Sequence, residues 1–116
     1  MSPYVRISVV IPVYNGGIFI SDMFSRLEKL LGQEDEIIFV DNNSTDNSLS
    51  EIDKIMSVSK IQVQLLEEKK QGSGPARNTG MRHAKGEYLV FIDIDDEVTS
   101  KHIHSQLEFL QKKYCI

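Results

Sequence analysis

Val5-Arg6-Ile7-Ser8-Val9-Val10-Ile11-Pro12-Val13 is the stretch that decides the fold. After Arg6, only Ser8 and Pro12 interrupt a run of apolar, mostly β-branched residues. The run does not alternate polar with apolar, so it reads as a strand covered on both faces, as in a parallel sheet. Asn15-Gly16-Gly17 follows as a turn. Ile20, Met23, Phe24, Leu27, Leu30 and Leu31 then recur at helical spacing, and Gly32 is placed to end that helix. Glu36 to Asp41 reads as a second strand. Asn42-Asn43-Ser44-Thr45-Asp46 reads as a loop rich in turn and capping side chains.

Further along, Leu49, Ile52, Ile55 and Met56 mark a second helix. Ile61, Val63 and Leu65 alternate, which predicts a third, less buried strand. Gly72-Ser73-Gly74-Pro75 is a loop. Ala76, Gly80 and Ala84 put small residues on one side of the next helix, which permits close packing on a sheet. Tyr88 to Ile92 is a fourth strand. Ile103, Leu107, Leu110 and Tyr114 outline a last helix. Strand and helix alternate throughout, which predicts an α/β fold with right-handed crossovers.

Bulk properties narrow the class. The chain has 116 residues, enough for one domain or part of one. The net charge is −4, with no long basic patch, which argues against nucleic acid as a partner. Cys115 is alone, so there is no internal disulfide framework. No apolar run approaches the ~20 residues of a membrane helix. Met1 to Arg6 lacks the basic-then-apolar order of a signal peptide. These features predict a cytoplasmic protein, or one peripheral at the inner face of a membrane. The apolar ending Tyr114-Cys115-Ile116 predicts that the chain stops inside a larger domain. The fourth strand's edge would then be open to self-association.

The chemistry gathers where strands end. Asp93, Asp95, Asp96 and Glu97 fall within five residues, directly after the fourth strand. Packed carboxylates repel each other unless a cation neutralises them. Oxygen ligands of this kind suit Mg²⁺ or Mn²⁺, which would in turn hold phosphate oxygens. Acids favouring a helix dipole are the simpler alternative. In a parallel sheet, strands one, two and four deliver Tyr14, Asp41 and Asp95 to the same rim. Arg77, at a helix start, would add a guanidinium. Such a set suits a nucleotide diphosphate. Asp46 reads as a helix cap, Asn42 and Asn43 as turn formers, and His83, His102 and His104 as surface. Met23, Met56 and Met81 read as core filler.

Four strings, in order, resemble the inverting glycosyltransferases of family 2. They are Ile7 to Asn15, Val40 to Asp46, Gly74 to Gly80, and Gly86 to Asp96, the last entering an Asp-x-Asp motif. The resemblance implies a GT-A fold: a Rossmann-like three-layer sandwich with a mainly parallel sheet of order 3-2-1-4. It implies that residues 1–116 form the nucleotide-sugar-binding half of one domain. Pro12, Tyr14 and Asp41 would line the nucleobase pocket. Arg77 and Asn78 would lie near the diphosphate or donor sugar. Asp93 would sit near the ribose or the metal, Ile94 would join the nucleotide-sugar site, and Asp95 would be the principal ligand of Mn²⁺ or Mg²⁺, with Asp93.

The implied activity is inverting transfer of a sugar, from a UDP-sugar by default, to an acceptor hydroxyl. That acceptor could be a sugar, a lipid-linked sugar or a protein, in polysaccharide or glycoconjugate biosynthesis. The family's general base belongs to an acceptor half that follows the donor half, so the catalytic residue is expected beyond this chain. Asn42 and Asn43 depart from the pattern, standing where many members have an acid and a glycine. Two alternatives share the fold: a non-catalytic nucleotide-binding or assembly module, and a sugar nucleotidyltransferase. The second is disfavoured because no cation follows the first strand until Arg26. A dinucleotide-binding domain is disfavoured because no Gly-x-Gly-x-x-Gly follows that strand.

Overall fold

The computed structural model describes residues 5–95. The order is β1 (Ile7–Val13), α1 (Gly17–Leu30), β2 (Glu36–Asp41), α2 (Ser48–Val58), β3 (Gln62–Glu67), α3 (Ser73–His83) and β4 (Tyr88–Phe91). All strand pairs are parallel, and the order across the sheet is β3-β2-β1-β4. Asp96, Glu97, His102, His104, Cys115 and the expected last helix lie outside the described residues.

β1 is buried on both faces because it is an inner strand with helices above and below. Ile7, Val9, Ile11 and Val13 face α1 and α2, in a core with Ile20, Met23, Leu27, Ile37, Phe39 and Ile52. Val10 faces the other way, against Ile38, Val40 and Ala76 of α3. Fully burying one such aliphatic side chain is worth about 1.5–3 kcal/mol, so β1 anchors both layers at once. Gly80 lets α3 lie close to the sheet: a Cβ there would stand 2.4 Å from Cγ1 of Val10. The small-residue face read from the sequence therefore has a steric reason. β3 is half-buried, as an edge strand should be.

Three expectations change. Gly32 does not close α1, which ends at Leu30 with Leu31 in extended conformation. Gly32 instead turns the chain by donating its N–H to Oδ2 of Asp35. Met23 fills the core, but Met56 and Met81 are exposed, each on the outer side of its helix. On α2 only Ile52 and Ile55 of the four apolar positions are buried; Leu49 faces outward with Met56.

Candidate functional site

A parallel sheet points the carboxyl ends of its strands to one side, where loops can form a crevice. Here that crevice is a cleft of about 400 Å³. From β1 and its loop come Pro12, Val13, Tyr14, Asn15, Gly16 and Phe19. Asn42 comes from the end of β2, Gln71 and Gly72 from the β3–α3 loop, and Ser73 from the start of α3. Asp93, Ile94 and Asp95 come from the end of β4. Pro12, next to last in β1, is half-buried, and Tyr14, just past the strand, is 54% exposed. Thus Pro12, Tyr14, Asp93, Ile94 and Asp95, singled out from sequence, share one cavity.

Two loops are zipped together beside Tyr14. Asn15 takes a left-handed φ of 48°, and its Oδ1 accepts from the N–H groups of Thr45 at 2.8 Å and Asp46 at 3.2 Å. The N–H of Asn15 donates to Oγ of Ser44 at 2.9 Å. Asp46 caps two helices. Its Oδ2 accepts from the N–H of Gly17 at the start of α1, and its Oδ1 from the N–H of Ser48 at the start of α2. The Ser48 hydroxyl bond, opposed by desolvation and helped by the Gly17 N–H, holds the Asp46 carboxyl below its ordinary range. Asp46 is therefore a cap, as its sequence context predicts, and the cap reaches α1 as well.

Asp41 is 2% exposed and does not line the cleft wall, although Val13, its partner in register, does. Its Oδ2 accepts from the N–H of Ser44 at 3.1 Å, while its Oδ1 is buried without a hydrogen-bond partner. A buried, unbonded oxygen of this kind costs about 1–3 kcal/mol and calls for a donor. Asn43 has φ 65° and makes the turn expected of it. Asn42 does more than turn: it is 4% exposed, and its amide holds the β3–α3 loop. That role was missed in the sequence because its partners lie 26 to 30 residues away.

On the β4 side, Nη2 of Arg77 lies 3.4 Å from Oδ1 of Asp93, a half-exposed pair. The Nε of Arg77 is buried without a partner. Arg77 thus reaches the rim from α3 without lining the cleft, while Asn78 is exposed and stands outside it. Ile94 packs on Gly16, where a Cβ would stand 2.9 Å from its Cγ2. Any larger residue at 16 would force the Ile94 side chain to shift. Among the described residues no group of three acids, histidines or cysteines could hold a metal ion. Asp93 and Asp95, both exposed and lining the cleft, offer carboxylate oxygens, one of Asp93's shared with Arg77. That donor set fits Mg²⁺ or Mn²⁺, which commonly take one or two carboxylates plus phosphate oxygens and water.

The profile of glycosyl transferase family 2 matches residues 8–116, and the chain belongs to that family. It is 38% identical over 107 residues to the glycosyltransferase GlyG of Streptococcus pneumoniae, covering 92% of this chain and 36% of GlyG. Among solved structures it is similar to Staphylococcus aureus TarS in complex with UDP-GlcNAc, with TM-score 0.78 and 27% identity. That match covers 93% of this chain and 32% of the TarS chain. It is also similar to the mannosyltransferase PcManGT of Pyrobaculum calidifontis in complex with GDP-Man and Mn²⁺. There the TM-score is 0.79 and the identity 25%, over 95% of this chain and 33% of that one. The parallel sheet of order 3-2-1-4 is that of these GT-A neighbours. The chain spans about a third of the length of each of these three relatives.

Proposed function

We propose that this chain is the donor-binding half of an inverting, metal-dependent glycosyltransferase. Its donor is a nucleotide diphosphate sugar, with UDP as the default nucleotide. Its acceptor is a hydroxyl in polysaccharide or glycoconjugate synthesis. The observation that carries the reading is the single cleft joining Tyr14 and Pro12 at one side to Asp93 and Asp95 at the other. Relatives of the same fold bind UDP-GlcNAc, or GDP-Man with Mn²⁺.

The residues divide the work along the cleft. Tyr14 and Pro12 offer apolar faces to a base. Asp41 lies behind the cleft wall rather than on it, and its unbonded Oδ1 is assigned to a base N–H on the family resemblance. Asp93 and Asp95 would hold the divalent cation, which when bound neutralises charge on the leaving diphosphate. Arg77 adds a fixed positive charge on the same rim and shares Asp93. Among the described residues no third carboxylate lines the cleft, so the general base for the acceptor is assigned outside them.

Thermal unfolding with UDP alone, Mn²⁺ alone and both together tests this. A ligand at about 100 times its Kd adds roughly 2.7 kcal/mol of stability. The reading expects the pair to raise the midpoint beyond the sum of the two separate shifts. No shift with UDP, GDP or dTDP, with or without Mn²⁺, would reject it.

A further inference from the structure

We infer that Asn42 is a positioning residue for nucleotide binding, carrying segment 68–72 and so shaping the cleft wall that meets the nucleoside. The inference rests on the donor-binding reading above. Asn42 is 4% exposed, and every polar atom of its side chain is used. Its Nδ2 donates to the carbonyl oxygens of Glu68 and Lys70, both at 2.8 Å. Its Oδ1 accepts from the N–H of Gly72 at 2.9 Å. Its own carbonyl accepts from Nε2 of Gln71 at 2.8 Å. Asn42, Gln71, Gly72 and Ser73 all line the cleft.

The pattern selects asparagine. Two carbonyls need two donors, and the Gly72 N–H needs an acceptor, from one short side chain. Aspartate has no donor, and serine has one. The place of this wall selects the nucleoside. The acids that would take the diphosphate and its cation follow β4, at one edge of the sheet. Segment 68–72 follows β3, at the other edge, so a ligand laid across the strand ends brings its base and ribose to Asn42's side. The loop is also tied from outside. Oε1 of Glu68 accepts from the Thr79 hydroxyl of α3 at 2.6 Å, and the Glu68 N–H donates to the Asp41 carbonyl at 2.8 Å. The Thr79 bond and the Lys70 N–H hold the Glu68 carboxyl below its ordinary range. Asn42 is the inner of two anchors, and the one that lies at the cleft.

The test is Asn42→Asp in the full protein, read by UDP titration with Mn²⁺ present and by amide hydrogen exchange. Losing two hydrogen bonds and facing two carbonyls should weaken UDP binding about tenfold. Exchange should quicken at 68–72 and stay unchanged in β1 and β4. Unchanged UDP affinity in the variant overturns the inference, as does unchanged exchange at 68–72, or exchange that quickens everywhere alike. If that variant does not fold, Gln71→Ala removes the bond to the Asn42 carbonyl. A smaller but measurable loss of UDP affinity is then expected, and none overturns the inference. A wild-type protein that binds neither UDP nor GDP rejects the donor reading itself. Wild-type binding with an unaffected variant rejects only the role of Asn42.

Discussion

β2 carries a buried carboxylate at each end, and the two are treated differently. Glu36 at its start is fully buried and Asp41 at its end is 2% exposed. Odd and even positions of a strand face opposite ways, so Glu36 lies on the α3 face and Asp41 on the α1–α2 face. Both oxygens of Glu36 are engaged. Oε2 accepts from the Ser8 hydroxyl at 2.6 Å and the Lys85 N–H at 2.8 Å, and Oε1 from Nε2 of Gln64 at 2.9 Å. Ser8 in turn accepts from the N–H of Gly86. This network ties β1, β2, β3 and the turn before β4 together at the closed end of the sheet. Asp41 has one oxygen engaged and one with no partner. The acid at the closed end is satisfied by its neighbours, whereas the acid at the open end keeps one buried acceptor unused, the oxygen assigned above to a nucleotide base in the proposed function.

Isosteric amides break this comparison most sharply. Glu36→Gln turns an accepting oxygen into a donor among three donors. It should cost about 2 kcal/mol or more of stability, lowering the unfolding midpoint by roughly 10 °C. Asp41→Asn should cost almost no stability, because an amide oxygen still accepts from Ser44. It should instead weaken UDP affinity by about ten- to a hundredfold, since an amide donor would meet the base N–H. Calorimetric titration beside thermal unfolding separates the two. If Asp41→Asn unfolds the protein while Glu36→Gln does not, the assignment of scaffold and site is reversed.

A smaller effect sharpens the Asp41 side. The Asp46 carboxyl, held low chiefly by the Ser48 hydroxyl and also by the Gly17 N–H, joins the two loops next to Asp41. A lowered folded-state pKa stabilises the fold above the unfolded value, about 3.9, and that stabilisation is lost as pH falls through the folded value. Asp46→Asn should therefore lower the midpoint slightly at pH 7. The gap to wild type should close as the pH drops below about 4. A gap that persists unchanged at pH 2 would mean that the carboxylate charge does not matter there.

Much of this arrangement was legible beforehand, and the reason is periodicity. Continuous apolar β-branched runs such as Ile7–Val13 announce inner parallel strands, and the weaker alternation at Ile61–Leu65 announces an edge. Acids after a buried strand announce the rim and Asp93 and Asp95 on it, while the resemblance to family 2 added Pro12, Tyr14 and Ile94 to the same site. Local signals misled where tertiary packing decides. Gly32 looks like a cap but serves a turn with Asp35. Met56 and Met81 have core composition but sit on outer helix faces. The reach of Asp46 to Gly17, the anchor from Asn42 to Glu68 and the bond from Lys85 to Glu36 are hydrogen bonds across 29, 26 and 49 residues. No short-range pattern encodes them.

The most direct test is calorimetric titration of UDP, with and without Mn²⁺, into the wild-type protein and Asp95→Asn. The account predicts wild-type affinity that rises steeply with Mn²⁺, and a variant whose weaker affinity no longer responds to the metal while its unfolding midpoint stays the same. Equal, metal-dependent binding by both proteins would contradict it and show that the acids after β4 do not form the cation site.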